Sequence, residues 1–578
     1  MPPRSLVRLA LAAALAVAAA APARGQTPAF HPAPCHPGTV QGARCGTVQV
    51  PENRDRPGGR MLALNVVVLP ARSAAPAREA VTFFGGGPGQ AATGMAGWMS
   101  GRLTELRDER DLLFVDQRGT GRSAPLQCQL RDPADPQSYL GDYFPPDRTA
   151  RCLDELGRGA DLTRYGFLEL AHDVEAVRRA LGYERLDLWG GSYGTRAAQV
   201  YMRTYPRSVR SAVLEGVVPP GYVQPKTYAQ STEAALAGLA ADCRADAACA
   251  AAFPDFAREV RAVADRLERT PGTAEIVDPR TGERLQLTLT RATFADVIRR
   301  MLYDPGAAAR IPHLVHRAYL GDYRPAVRFA LRDRRGYQQG IWWGLNLAIT
   351  CTEDVPFVDV QAAARDNGRT LLGDWRVRQQ AEACRGWPTY PLPAGYHQPA
   401  PSDIPTLLIS GEFDPVTPAS GGEAVAATLR NALHVVVPSG AHGYGGMEGA
   451  GCVDALVVRF YRQGSVRGLD ASCVRGMRRP PFLIDAPEPI TQDRSPVERF
   501  AGTFASSDPQ MEVRFEALDG VLRARIGGDF TAVASPLSRT EFHWEGFPRR
   551  FTFRRSEDGG PVEMPGRDES AVTLTRSP

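Results

Sequence analysis

The stretch "LDLWGGSYGT", residues 186–195, constrains the fold more than any other in the chain. A short apolar run ends on Gly190 and Gly191, then meets Ser192, Tyr193 and Gly194. Two readings fit these residues. One is a flexible turn that happens to carry a hydroxyl. The other is a strained strand-to-helix turn, in which small neighbours let the chain push Ser192 into the open. Composition alone does not choose between them, so the surrounding pattern has to.

That pattern alternates strand and helix from Cys35 to about Gly216. "MLALNVVVLP" (61–70), "AVTFFGGGPG" (80–89) and "RDLLFVDQRGTGRS" (110–123) each hold an apolar run that breaks into a loop. "FLELAHDVEAVRRALG" (167–182) has apolar residues at helical spacing and closes on Gly182. Continuous apolar strands between helices predict an α/β fold, a mostly parallel sheet covered on both faces. Residues 227 to about 345 are instead alanine-rich and helical, with a hairpin turning at Asp278 to Gly282. The strand pattern returns in "PTLLISGEFDPVTP" (405–418) and "LHVVVPSGAHGYGG" (433–446). The sheet domain is therefore expected over 35–216 and 401–478, with a mainly helical lid inserted at 217–400. Beyond the proline-rich "PPFLIDAPEPI" (480–490), alternation across an Asp519-Gly520 turn predicts a small all-β accessory domain at 495–578.

Residues 1–25 read as a signal peptide: Arg4 and Arg8, an apolar run from Leu9 to Ala20, then small residues before Gly25. No later segment is apolar over the roughly 18–20 residues that a span requires, so stable membrane insertion is not expected. Export to the periplasm or the exterior follows. A net charge of +4 without a long basic run argues against nucleic acid as a partner. The ten cysteines fall into sequence neighbours: Cys35 and Cys45, Cys128 and Cys152, Cys243 and Cys249, Cys351 and Cys384, Cys452 and Cys473. In an exported chain this suggests five disulfides. Sequence does not fix connectivity, but local pairing keeps each bridge within one structural unit. The spacing offers no metal site, since no pair is Cys-x-x-Cys and no histidine cluster joins one.

Asp414 follows one apolar run in "GEFDPVTP" and His442 follows the next in "SGAHGYGG". Serine, acid and base then run in an order and context that suit nucleophilic catalysis at the carboxyl ends of parallel strands. A serine hydroxyl becomes nucleophilic when an imidazole removes its proton, and a carboxylate fixes that imidazole's tautomer. The developing oxyanion needs two backbone N–H donors. Tyr193 supplies one by position, and the glycines at 85–87 and 89, Gly86 foremost, could supply the other. His172 lies inside a helical pattern and His434 inside a strand, so packing explains both.

"FFGGGPG", "VDQRGTGRS", "WGGSYGT", "GEFDPVTP" and "GAHGYG" together resemble the proline iminopeptidase and tripeptidyl aminopeptidase branch of the α/β-hydrolases, the S33 type of serine exopeptidase. "GCVDALVVRFYRQGSV" and the following "ASCV" (451–474) resemble the TAP-like C-terminal segment of secreted members. The family often carries histidine where Gly85 stands. The resemblance implies an α/β-hydrolase fold and a secreted serine hydrolase acting on peptide N-termini through Ser192, His442 and Asp414. It implies peptide substrates and no cofactor, and it says nothing of oligomeric state. An esterase for small acyl esters is the alternative within enzymes, and a catalytically silent binding protein the alternative outside them. An exopeptidase also needs an acidic anchor for the substrate's ammonium group. Glu353 is the first candidate, with Asp354 and Glu215 behind it.

Overall fold

The computed structural model describes residues 28–485 and 497–576, apart from 279, 282, 508–509, 519–520, 527–529, 537–540, 545–549, 554–561 and 566–570. The segment 1–25 read as a signal peptide and the expected turn at 519–520 lie outside the described residues. Strands β1 (Phe30–Ala33), β2 (Arg44–Pro51), β3 (Met61–Leu69), β4 (Glu79–Phe84), β5 (Asp111–Val115), β6 (Arg185–Gly191) and β7 (Val209–Glu215) precede the insertion. Within the insertion, β8 (Gly272–Val277) and β9 (Arg284–Leu289) form an antiparallel hairpin. After it come β10 (Thr406–Gly411) and β11 (Ala432–Val437). All but the hairpin join one nine-stranded sheet in the order β1-β2-β3-β5-β4-β6-β7-β10-β11. Pairing is antiparallel from β1 to β5 and parallel from β5 through β4, β6, β7 and β10 to β11.

Both faces of the sheet are buried, as strand periodicity requires for a layer covered on two sides. Val66, Leu188, Ala212 and Leu214 enter one core. Their neighbours Val67, Trp189 and Val213 enter the other. Phe83 and Phe114 stack across adjacent strands with centroids 4.4 Å apart. The insertion has a core of its own, built on Phe256, Val263, Ile276, Leu289, Phe294 and Ile298.

The boundary between the two differs from the sequence expectation at one element. The helix Trp343–Glu353 lies inside the stretch read as lid, yet Trp343, Leu345, Leu347, Ile349 and Cys351 pack into the first sheet core. Its sequence, WGLNLAITCTE, is apolar around most of its circumference, and every residue of it is buried. A helix without a polar face finds no place on a surface lid. In the other direction, Tyr139 and Leu140, which precede the insertion, join the lid's core.

Among the described residues, eight strands lying between Gly502 and Arg576 form a closed antiparallel barrel. Phe504, Val513, Phe515, Leu522, Phe542 and Leu574 fill it, and the exposed Arg514 stands between the buried Val513 and Phe515. Closure leaves no unpaired strand edge. Among the described residues, no helix is long and apolar enough to cross a membrane.

The cysteines are joined as Cys35–Cys45, Cys128–Cys152, Cys243–Cys249, Cys351–Cys384 and Cys452–Cys473. The Cys351–Cys384 bridge ties the buried helix to the segment 33 residues downstream. By loop entropy a closure of that length stabilises by about 4 kcal/mol. Peptide mapping without reduction should return these five local pairs. Replacing Cys351 and Cys384 together with alanine should lower the denaturant midpoint by a corresponding amount; an unchanged midpoint would mean the bridge constrains nothing.

Candidate active site

Strand β6 runs into Ser192, which stands at φ +55, and the helix Gly194–Thr204 begins two residues later. The turn is held from several sides. Ser192 N–H donates to Glu215 O at 2.7 Å. Thr195 returns two bonds to Ser192 O, from its N–H at 2.9 Å and its hydroxyl at 2.7 Å. The flanking glycines are required by close approach. A Cβ at Gly194 would lie 2.1 Å from Phe84 O, and one at Gly190 2.8 Å from Gly194 O.

Asp414 lies in the loop that follows β10 and is 3% exposed. Its Oδ1 accepts from Val416 N–H at 2.9 Å and Thr417 N–H at 2.8 Å. Its Oδ2 accepts from the Thr417 hydroxyl at 2.7 Å and faces His442 Nδ1 at 2.7 Å. Thr417 Oγ1 is itself 3.0 Å from His442 Nδ1. With Nδ1 turned to the carboxylate, the imidazole's second nitrogen is the one available to take a proton. The Tyr303 ring meets His442 edge-on at 4.9 Å. Ser192 and His442 line one cavity of about 1690 Å³, together with Gly86, Gly87 and Tyr193. Tyr222, Tyr228, Tyr303 and Tyr337 from the lid form another part of its wall.

The structure engages four of the expected residues with partners of their own. Gly86 packs against Ser192, but its N–H donates to Gln90 Oε1 at 2.9 Å, so that donor is engaged inside the loop. Glu353 and Asp354 do not line the cavity; they are 1% and 0% exposed, behind the serine turn. Glu353 accepts from Phe167 N–H at 3.1 Å, from the Tyr390 hydroxyl at 2.6 Å and from the Tyr396 hydroxyl. Asp354 accepts from Arg196 Nη1 at 2.8 Å and from the Tyr193 hydroxyl. Burial pushes both carboxyls up, against the pull of these partners. Glu215 does reach the cavity wall, yet both its oxygens are engaged. Arg102 donates to them at 2.9 and 2.8 Å, Trp189 Nε1 at 3.1 Å, and the Tyr444 hydroxyl completes the set. Burial alone would push the Glu215 carboxyl up, but the Arg102 guanidinium holds it below the usual range. None of the three offers an open carboxylate to a substrate ammonium group.

Sequence reading missed Thr417, Arg102 and Arg196. Thr417 carried a usable signal, because an Asp whose carboxylate takes the N–H groups two and three residues on is a common loop closure. The arginines carried none, since nothing in their local sequence separates them from the chain's many others. His172 and His434 have ordinary partners, the Tyr205 hydroxyl at 2.6 Å and Ser410 Oγ at 2.9 Å.

A family model described as the alpha/beta hydrolase fold matches residues 79–444. Serine protease Hip1 of Mycobacterium bovis is 28% identical over 472 residues, covering 75% of this chain and 87% of that protein. Carboxylesterase B of Mycobacterium tuberculosis is 28% identical over 477 residues, again covering 75% and 87%. Tripeptidyl aminopeptidase of Streptomyces lividans is 28% identical over 196 residues, 31% of this chain and 36% of that protein.

Thr417→Val removes the hydroxyl that Asp414 and His442 share and leaves Asp414 its two backbone donors. We expect kcat to fall about tenfold, roughly 1.4 kcal/mol, the size of one hydrogen bond to a charged group. The melting temperature should move by only a few degrees. An unaltered kcat would reduce Thr417 to a packing residue.

Proposed function

Since the chain belongs to the alpha/beta hydrolase fold family, we propose that it is an exported serine hydrolase that cleaves amide bonds at peptide N-termini. The observation that carries this reading is one cavity shared by two groups: Ser192 on its left-handed turn, and His442, whose Nδ1 is held by Asp414 at 2.7 Å. In this reading His442 Nε2 takes the Ser192 hydroxyl proton as Oγ attacks the substrate carbonyl. Asp414 keeps the imidazole in the tautomer that can accept that proton and stabilises the imidazolium that results. The Tyr193 N–H meets the oxyanion. The second donor comes from the glycine loop, whose Gly86 and Gly87 line the same cavity; the Gly86 amide turns to the oxyanion when it leaves Gln90. The imidazolium then protonates the leaving amine, and water resolves the acyl-enzyme by the same steps in reverse.

Relatives named serine protease and tripeptidyl aminopeptidase support peptides as the substrate class. Five disulfides support an oxidising compartment and hence export. A second reading has a specific observation behind it: a relative named carboxylesterase B matches with the same identity and the same coverage as the protease. Fold and catalytic groups do not separate esters from amides.

A panel of prolyl, alanyl and tripeptidyl chromogenic amides beside simple esters separates the two. We expect a free amino terminus to raise kcat/KM at least about tenfold over its N-acetylated counterpart, the effect of one charge-assisted contact. Faster ester turnover with indifference to acetylation would make the protein an esterase. Ser192→Ala should abolish turnover of both substrate types without altering the melting transition, apart from slow residual catalysis without the nucleophile. Retained activity would reject Ser192 as nucleophile.

A further inference from the structure

Tyr193 has two parts that face opposite ways. Its backbone belongs to the serine turn, at φ −58 and ψ −23, and its side chain is buried at 2% exposure. The phenol hydroxyl donates to Asp354 and accepts from Arg196 Nη1 at 2.8 Å. The same Nη1 lies 2.8 Å from Asp354 Oδ1, and the guanidinium stands 4.9 Å over the Tyr193 ring. A second arm of Arg196 reaches Tyr222 O, and Tyr222 is part of the cavity wall. Arg196 and Asp354 are 2% and 0% exposed, so bulk water does not compete for these bonds.

Asp354 comes from far along the chain. It ends the buried helix that returns from the insertion, three residues after Cys351, whose bridge to Cys384 fixes that helix. Glu353 beside it is clamped by Tyr390 and Tyr396 from the segment beyond Cys384. The Phe167 N–H also bonds Glu353, and the Phe167 ring packs on Tyr193 at 5.4 Å. Filling space beneath the turn would need only a phenylalanine on apolar neighbours. The chain instead buries an ion pair there, which costs desolvation and repays it with one fixed geometry. A rotation of the Tyr193 peptide plane by a few degrees would misdirect its N–H, and preorganisation is what gives such a donor its effect.

We infer that Asp354 and Arg196 are positioning residues, which grip the Tyr193 phenol and so aim the Tyr193 amide at the substrate's developing oxyanion. This rests on the proposed reading of Ser192 and Tyr193. It makes the end of the buried helix Trp343–Glu353 part of the oxyanion machinery without contact with substrate.

The test is Tyr193→Phe, which deletes one oxygen, beside Asp354→Asn and the double variant, each with its melting temperature recorded. We expect Tyr193→Phe to lower kcat about tenfold with KM within about twofold, for amides and esters alike. Affinity for a peptide boronate, whose tetrahedral adduct places an oxygen in the oxyanion position, should weaken by the same factor as kcat/KM. Binding of uncleaved substrate on a Ser192→Ala background should not change. The double variant should lose no more than the worse single variant, because all act through one grip. A merely structural role predicts a lower melting temperature with kcat and boronate affinity intact in Tyr193→Phe; that result, or additive losses in the double variant, overturns the proposal. If Ser192→Ala retains turnover, the nucleophile reading fails and the proposal with it. If turnover depends on Ser192 while Tyr193→Phe leaves the boronate untouched, the proposal alone fails.

Discussion

A serine held at φ +55 occupies backbone space that costs a residue with a Cβ about 1–2 kcal/mol. Such a conformation persists only where its surroundings over-determine it. Here the surroundings are the middle of the sheet. Strand β7 offers Glu215 O to the Ser192 N–H, Thr195 turns its hydroxyl back onto Ser192 O, and Phe84 O at the end of β4 presses so close to Gly194 that no side chain fits. Strands β4, β6 and β7 are neighbours. The turn is thus a product of sheet order, and the loops bearing Asp414 and His442 reach it because β10 and β11 are next in line.

Two buried ion pairs extend that control outward. Arg102, from the helix Ala96–Arg102, joins Glu215 to Asp454 and to Tyr444, two residues beyond His442. Arg196 joins Asp354 to the residue after the serine. Removing one member of such a pair typically costs about 3–5 kcal/mol, since the other is left charged and unpartnered. Each pair links segments far apart in sequence across the base or flank of the cavity. Carboxylates so committed are struts.

The sequence was legible where one residue's local context sufficed. The short apolar run in "LDLWGG" marks β6, Gly182 marks a helix end in left-handed conformation, and Asp414 and His442 could be found because each follows an apolar run. The helix Phe167–Leu181 and the hairpin of β8 and β9 were equally plain. What failed depended on contacts across long distances. "TEDVPF" looks like a solvated turn or an acidic binding patch, and only the fold reveals that Arg196, more than 150 residues earlier, stands against it. Gly86 looked open because glycine shields nothing, yet a glutamine four residues on takes its amide. The helix Trp343–Glu353 was read as part of the lid at 217–400 because helical spacing reports amphipathic faces and this helix has almost none.

That helix has a further consequence, for the order in which the chain can fold. The core on one side of the sheet contains residues from β2 to β7, from Trp343–Cys351 and from β10. Strands β10 and β11 complete the sheet only after the whole insertion has been made. A chain emerging N-terminus first therefore carries β4, β6 and β7 with one sheet edge and one packing layer unfilled. Contacts of such long sequence separation form slowly, since loop closure precedes any reward from burial. On the export route proposed above, late completion of the core keeps the chain threadable until its cysteines oxidise. The same feature leaves a long interval in which an apolar surface needs a chaperone's protection.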